Sequence, residues 1–329
     1  MVMARAIDRR LWTLSQLGGV LPIHGEVAAA RRAPAGGADT GRETGVGRST
    51  GFEAVQVAAA AALRPGLDWV VPSHRDLALC LAMGTSPLDV MLATLGRGSD
   101  QTSAGRQEPG SLGSRRARII TTSALTGAQI PHAAGIAYAS KINGLDEVTL
   151  ASIGERGTDT GDWHEGINFA AVHRLPLVCL VQNDAPRATA PPGQVAIDLI
   201  AKRADGYGIA AESIDGGDFD VSLDALCRAV DRARSGEGPT LIHARITPLT
   251  SLTPRGAFQS QDQLELVALQ DPIERLRRRL HDDLLLDDDT DDQIQRDCIS
   301  VVEAALDQAR NAPMAQPASA LDNVLAGEV

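Results

Sequence analysis

At 329 residues with 43% hydrophobic side chains, the chain has room for one large α/β domain with appendages, or for two smaller domains. Its formal net charge of −11 lacks the basic footprint that phosphate backbones demand, so the expected partners are small molecules and proteins, with no nucleic acid. Cys80, Cys179, Cys227 and Cys298 are too scattered for a metal or redox motif and read as free thiols of a reducing cytoplasm.

Residues 1–23 carry apolar Leu11, Leu14 and Leu17 at helical spacing and close on Gly18 and Gly19, which predicts an N-terminal helix within residues 1–28. The arginines at 5, 9 and 10 precede no long apolar run. A signal peptide is not expected. No uninterrupted apolar run of about 18 residues occurs, so the expectation is a cytoplasmic protein with no membrane segment. Residues 29–50 hold almost no large apolar side chain and read as a flexible insertion. Their glycines lack the lysine and the spacing of a phosphate loop.

From residue 51 to about 260, strand-length apolar runs alternate with helix-length amphipathic segments, the pattern of a parallel sheet with helices on both faces. Strands are predicted at 69–72, 118–122, 147–153, 177–182, 211–214 and 240–246, and helices at 76–83, 127–141, 162–174, 195–206 and 221–235. Residues 261–329 change character. Pro272 opens a basic helix, the acidic run near 287–292 reads as a solvated helix start before a helix at 293–310, and the tail 311–329 is expected to be loosely held.

Such a sheet presents ligands at the carboxyl ends of its strands. Two ends stand out: Gly154-Glu155-Arg156 after one predicted strand, and Gln182-Asn183-Asp184 at the close of the next. If these strands are neighbours, Glu155 and Asp184 can hold one hard divalent cation through oxygen. Acids at strand ends also serve as helix caps and surface ion pairs. Arg75, beside His74 and after a strand, suits a charge-assisted bond to phosphate, or else a surface pair with Asp76.

At these residues the chain resembles the α subunits of the decarboxylating component of 2-oxo acid dehydrogenase complexes, particularly the branched-chain type. The resemblance runs through SHRDLALCLAMG (73–84), GRQEP (105–109), TGAQIPHAAGIAYASK (126–141), GTDTGDWHEGINFAAVHRLPLV (157–178), GYGIAAESIDGGD (206–218), GEGPTLIHA (236–244) and DPIERLRRRL (271–280). It implies a thiamine-diphosphate-binding fold in an α₂β₂ assembly with a homologous β subunit. It also implies oxidative decarboxylation of a 2-oxo acid and transfer of the acyl unit to the lipoyl group of an acyltransferase core. It places His74, Arg75, Gly154, Glu155, Arg156, Gln182 and Asp184 at the cofactor, and Glu155, Asp184 and the Pro186 carbonyl on Mg²⁺.

Several positions depart from the family pattern. His74 replaces an aromatic residue, Arg156 a glycine and Asp184 an asparagine, while Asn183 is kept. Leu252 stands where an active-site histidine is usual, Pro248 for an arginine, and Ser111 for a histidine. A leucine cannot stabilise charge on a substrate carbonyl. Two readings follow: a cofactor-dependent enzyme, or a non-catalytic paralogue that keeps the fold and the β-subunit interface. The second rests on Arg156 folding inward, pairing with Glu155 and Asp184 in place of the metal, and that is the expected pose.

Overall fold

Alternation decides the core. The structure, a computed structural model, describes residues 1–16, 49–107, 111–121, 126–184, 199–247, 249 and 268–321. Strands β1 (Trp69–Val71), β2 (Thr149–Gly154), β3 (Leu177–Asn183), β4 (Ala210–Asp215) and β5 (Thr240–Arg245) pair in the order β1-β2-β3-β5-β4, all parallel. Successive side chains of a strand point to opposite faces. Val70, Leu150, Val178, Leu180 and Ile242 enter one apolar cluster, whereas Val71, Ala151, Ile153, Cys179, Val181 and Leu241 enter another.

Helices cover both faces, as the alternating pattern requires. Beside the first cluster lie α1 (Val2–Gln16), α2 (Glu53–Ala62), α3 (Leu77–Met83) and α4 (Pro87–Thr94). α5 (Gln129–Ile142) and α6 (Gly161–Val172) pack on the second through Ile130, Ala133, Ala134, Ala137, Trp163, Ile167 and Ala170. α7 (Phe219–Arg234) and α9 (Asp288–Asn311) return to the first, and α8 (Pro272–Asp282) joins α1 through an Arg5–Asp271 ion pair at its start. Close approach of α5 and α6 depends on Gly166. A Cβ there would meet the Pro131 nitrogen at 2.9 Å and the Ile130 carbonyl carbon at 3.0 Å.

Local signals explain several helix starts. Thr160 caps α6 by accepting from the Trp163 N–H, Asp218 accepts from Asp220 and Val221 at the start of α7, and Asp271 with Pro272 starts α8. The acidic run is a helix start, with Asp287 capping and Asp288, Asp289 and Asp291 in the first turn of α9.

Four expectations are corrected. Over the described part of the strand expected at 118–122, residues 118–121, no strand forms: Ile119 makes only single bridges, to Val70 and Ser114, and 122 lies outside the described residues. Arg118 has a left-handed backbone (φ 53°), which breaks an extended run, and its guanidinium lies 4.8 Å from the centre of the Trp69 ring. The helix expected at 195–206 is a 3₁₀ segment, Ile200–Tyr207, turned by Gly208 at φ 67°, and 195–198 lie outside the described residues. The tail is tied down at its beginning, where Met314 bridges Arg97 and the Gly98 N–H donates to the Pro313 carbonyl at 2.9 Å. Helices α2 and α4 also form where the periodicity assigned none; α2 is an alanine-rich run, and α4 begins with a Ser86–Asp89 capping box. The helix predicted over 1–23 is observed to Gln16, and 17–48, with most of the expected insertion, lie outside the described residues.

Candidate functional site

The two strand ends are neighbours. In the β2–β3 register Gly154 pairs with Gln182, so the residues that follow, Glu155 and Asp184, emerge side by side at the carboxyl edge of the sheet. Gly154 has open space where a Cβ would stand, which leaves its backbone accessible from the crevice. Glu155 begins a 3₁₀ turn, Glu155–Asp159, braced by Arg203, which donates to the Thr158 carbonyl at 2.9 Å and pairs with Asp159 at 2.9 Å.

Charge in this crevice is unevenly compensated. Asp184 is buried, and Arg75 Nη1 reaches its Oδ2 at 3.5 Å. Burial, with the nearby Asp184 carboxylate next in importance, holds the Glu155 carboxyl above its ordinary range, and the Arg75 charge opposes this. A carboxyl whose proton affinity is raised by burial and by an adjacent carboxylate marks a place where an added cation is stabilised. The hard oxygen donors, the open backbone at Gly154 and the adjacent Arg75 therefore fit a divalent cation bound to a diphosphate.

Arg156 does not take the expected inward pose. Its side chain is 67% exposed, its Nε stands 4.0 Å from Glu155 Oε1, and the arginine beside Asp184 is Arg75. A guanidinium at the surface keeps much of its hydration, which a place between half-buried Glu155 and buried Asp184 would remove. The structural premise of the non-catalytic reading, a pair of carboxylates closed by Arg156, is absent. His74 is exposed, Gln182 is buried below the crevice, and Ser111 is half-buried. Pro186, Pro248 and Leu252 lie outside the described residues.

Several site residues carry no motif of their own in the sequence. Gln182 Nε2 donates to Asp76 Oδ1 at 2.6 Å and to Ser152 Oγ at 2.5 Å, and Gln56 joins the same cluster from α2. Asp76, read from the sequence as a surface partner for Arg75, is instead fully buried. Burial raises its proton affinity, against the bonds it receives from Gln182 and Ser152. His243, buried within β5, is held between Asn183 (3.0 Å to Nε2) and Ser213 (3.3 Å to Nδ1), and burial lowers its pKa, keeping it neutral. A histidine inside the apolar run LIHA was the available signal.

A parallel sheet that offers paired carboxylates and an arginine at its carboxyl edge defines a class of anionic-cofactor-binding α/β proteins. Comparison with known proteins narrows the class. The Dehydrogenase E1 component family matches residues 38–318. The 2-oxoisovalerate dehydrogenase subunit alpha of Bacillus subtilis is 36% identical over 99% of this chain and 93% of its own length. The 3-methyl-2-oxobutanoate dehydrogenase subunit alpha of Mycobacterium tuberculosis is 36% identical over 74% of this chain and 65% of its own. The pyruvate dehydrogenase E1 component subunit alpha of Acholeplasma laidlawii is 34% identical over 70% and 65%. The chain belongs to the dehydrogenase E1 component family.

Proposed function

We propose that this chain is the α subunit of a 2-oxo acid dehydrogenase decarboxylating component acting on a branched-chain 2-oxo acid. The observation that carries the reading is the side-by-side emergence of Glu155 and Asp184 next to Arg75, in a chain similar along nearly its whole length to a 2-oxoisovalerate dehydrogenase subunit alpha. Thiamine diphosphate, when bound, supplies the carbanion chemistry that removes CO₂ from a 2-oxo acid. Arg75 binds diphosphate oxygen. Glu155 and Asp184 hold Mg²⁺, with the Pro186 carbonyl, phosphate oxygens and water as further ligands. His74, Gly154 and Arg156 border the cofactor, and Gln182 supports Asp184 from beneath. A β subunit completes the pocket in an α₂β₂ assembly in the cytoplasm, and the acyl unit passes to a lipoyl acyltransferase core. In this reading 51–260 form the cofactor-binding unit, flanked by the N-terminal helix, the 29–50 insertion and the C-terminal helices.

The test is co-expression with a β subunit of the same family, then assay of CO₂ release from 3-methyl-2-oxobutanoate and from pyruvate. The reading predicts turnover dependent on thiamine diphosphate and Mg²⁺, with 3-methyl-2-oxobutanoate preferred. A purified α–β complex that turns over neither substrate contradicts the proposed activity.

A further inference from the structure

Beneath the crevice, side chains from α2, β2, β3 and the turn before α3 share one buried hydrogen-bonded cluster centred on Gln56. Gln56 is fully buried, and its Nε2 lies 3.1 Å from the Arg75 carbonyl, 3.1 Å from Asp76 Oδ1 and 3.0 Å from Gln182 Oε1. Its Oε1 accepts from the Ala78 N–H at 3.2 Å. Gln182 spends its own two donors on Asp76 and Ser152, and Asp76 Oδ2 accepts from the Ser73 N–H at 2.6 Å. Ser49 adds a bond from its Oγ to the same Arg75 carbonyl at 3.2 Å.

Each of these contacts leads within three residues to a crevice side chain. Arg75 is itself bonded through its carbonyl, Gln182 precedes Asp184 by two positions, and Ser152 precedes Glu155 by three. A buried amide is costly unless its donors and acceptor are satisfied, and here the Gln56 amide has partners for both. Gln56 stands behind the site and hydrogen-bonds to Arg75, Asp76, Gln182 and Ala78 rather than to Glu155 or Asp184, so its effect on a ligand has to run through its neighbours.

We propose that Gln56 is a positioning residue, which sets Arg75 and the β3 end bearing Asp184 at the separation a metal-bound diphosphate requires. The inference rests on the function proposed above. Its role resembles that of groups that orient metal ligands from behind, whose removal typically weakens binding about 10- to 100-fold.

The experiment is calorimetric titration of thiamine diphosphate with Mg²⁺ into the α–β complex, for wild type, Gln56→Met, Arg75→Lys and the double variant. Gln56→Met keeps the length of the side chain and removes its hydrogen bonds; Gln56→Glu is the second variant, keeping the Ala78 contact while placing a carboxylate against Asp76. Expected are affinities about tenfold or more weaker for Gln56→Met, and losses for Gln56→Met and Arg75→Lys that are less than additive in the double variant. Thr94→Ala, which removes a helix-internal hydroxyl bond to the Val90 carbonyl, is expected to leave affinity unchanged. Wild-type affinity in a folded Gln56→Met or Gln56→Glu complex, with Arg75→Lys weakened, overturns the positioning role and leaves the functional reading intact. So do additive losses in the double variant. Absence of binding to wild type overturns both.

Discussion

Among the described residues, two of the clusters that join arginine to a pair of acids are built to opposite ends. At the α1–α8 corner, Arg5 bonds Glu53 through Nε at 2.5 Å and grips Asp271 through Nη1 and Nη2 at 2.9 and 3.1 Å. The Asp271 carboxyl is held below its ordinary range by Arg5, against the cost of burial. At the strand ends, Arg75 reaches Asp184 at a longer 3.5 Å, and Glu155 is driven above its ordinary range, by burial first and then by Asp184. The first cluster is a closed clasp that ties α1 to α2 and to the start of α8. The second carries charge still favourable to a cation. Buried acids alone do not mark a site, whereas a strand-edge acid whose proton affinity is raised by burial and by a second acid does.

The largest expected effect breaks the closed cluster. Arg5→Ala leaves fully buried Glu53 and half-buried Asp271 without their cation, and is expected to cost about 3–5 kcal/mol of unfolding free energy in urea titrations. A loss below about 1 kcal/mol would mean that the corner is not held by this clasp.

A smaller effect sharpens the contrast at the same corner. Asp8 accepts from Thr50 Oγ1 at 3.0 Å, and burial, with the neighbouring Glu53 charge, raises its pKa to about 7 from an ordinary 3.8. A raised folded pKa means that the folded state holds a proton the unfolded chain has released. Stability from this group is therefore full below about pH 4 and lost as pH rises through about 7. Asp8→Asn should flatten that part of the pH–stability curve and raise stability at pH 8 by on the order of a few kcal/mol. A variant less stable than wild type at pH 8 would contradict the assignment.

The smallest effect concerns Arg156. Since its side chain is largely exposed, Arg156→Gly should change stability by less than about 0.5 kcal/mol by thermal denaturation of the α chain. A substantially larger change would show that Arg156 is a structural part of the crevice.

Much of the fold was legible because β2 and β3 are buried on both faces and therefore read as apolar runs, and because Thr160, Asp218 and Pro272 announce helix starts in the chain itself. Arg118 misled, since a left-handed backbone at a residue other than glycine leaves no compositional trace. Glu155 and Asp184 could be named from their place after strands, but their adjacency needed the register of β2 on β3. Gln56 and His243 escaped notice because a lone amide in an alanine-rich helix and a lone histidine in a strand look like any other residue until their partners, distant in sequence, are known. The exposed pose of Arg156 depends on the 3₁₀ turn after β2, a tertiary feature that spacing does not encode.

The central claim is that the strand-end acids form a cation site for a diphosphate cofactor. Its most direct test is calorimetric binding of thiamine diphosphate to the α–β complex with and without Mg²⁺, in wild type and in Glu155→Gln, between pH 5 and 8. Because Glu155 binds its proton more tightly than an ordinary carboxylate, wild-type affinity should weaken as pH falls, beginning above the usual carboxylate range near about 4.3. Glu155→Gln should abolish the Mg²⁺-dependent part. Mg²⁺-dependent binding that is unchanged in Glu155→Gln would contradict the account.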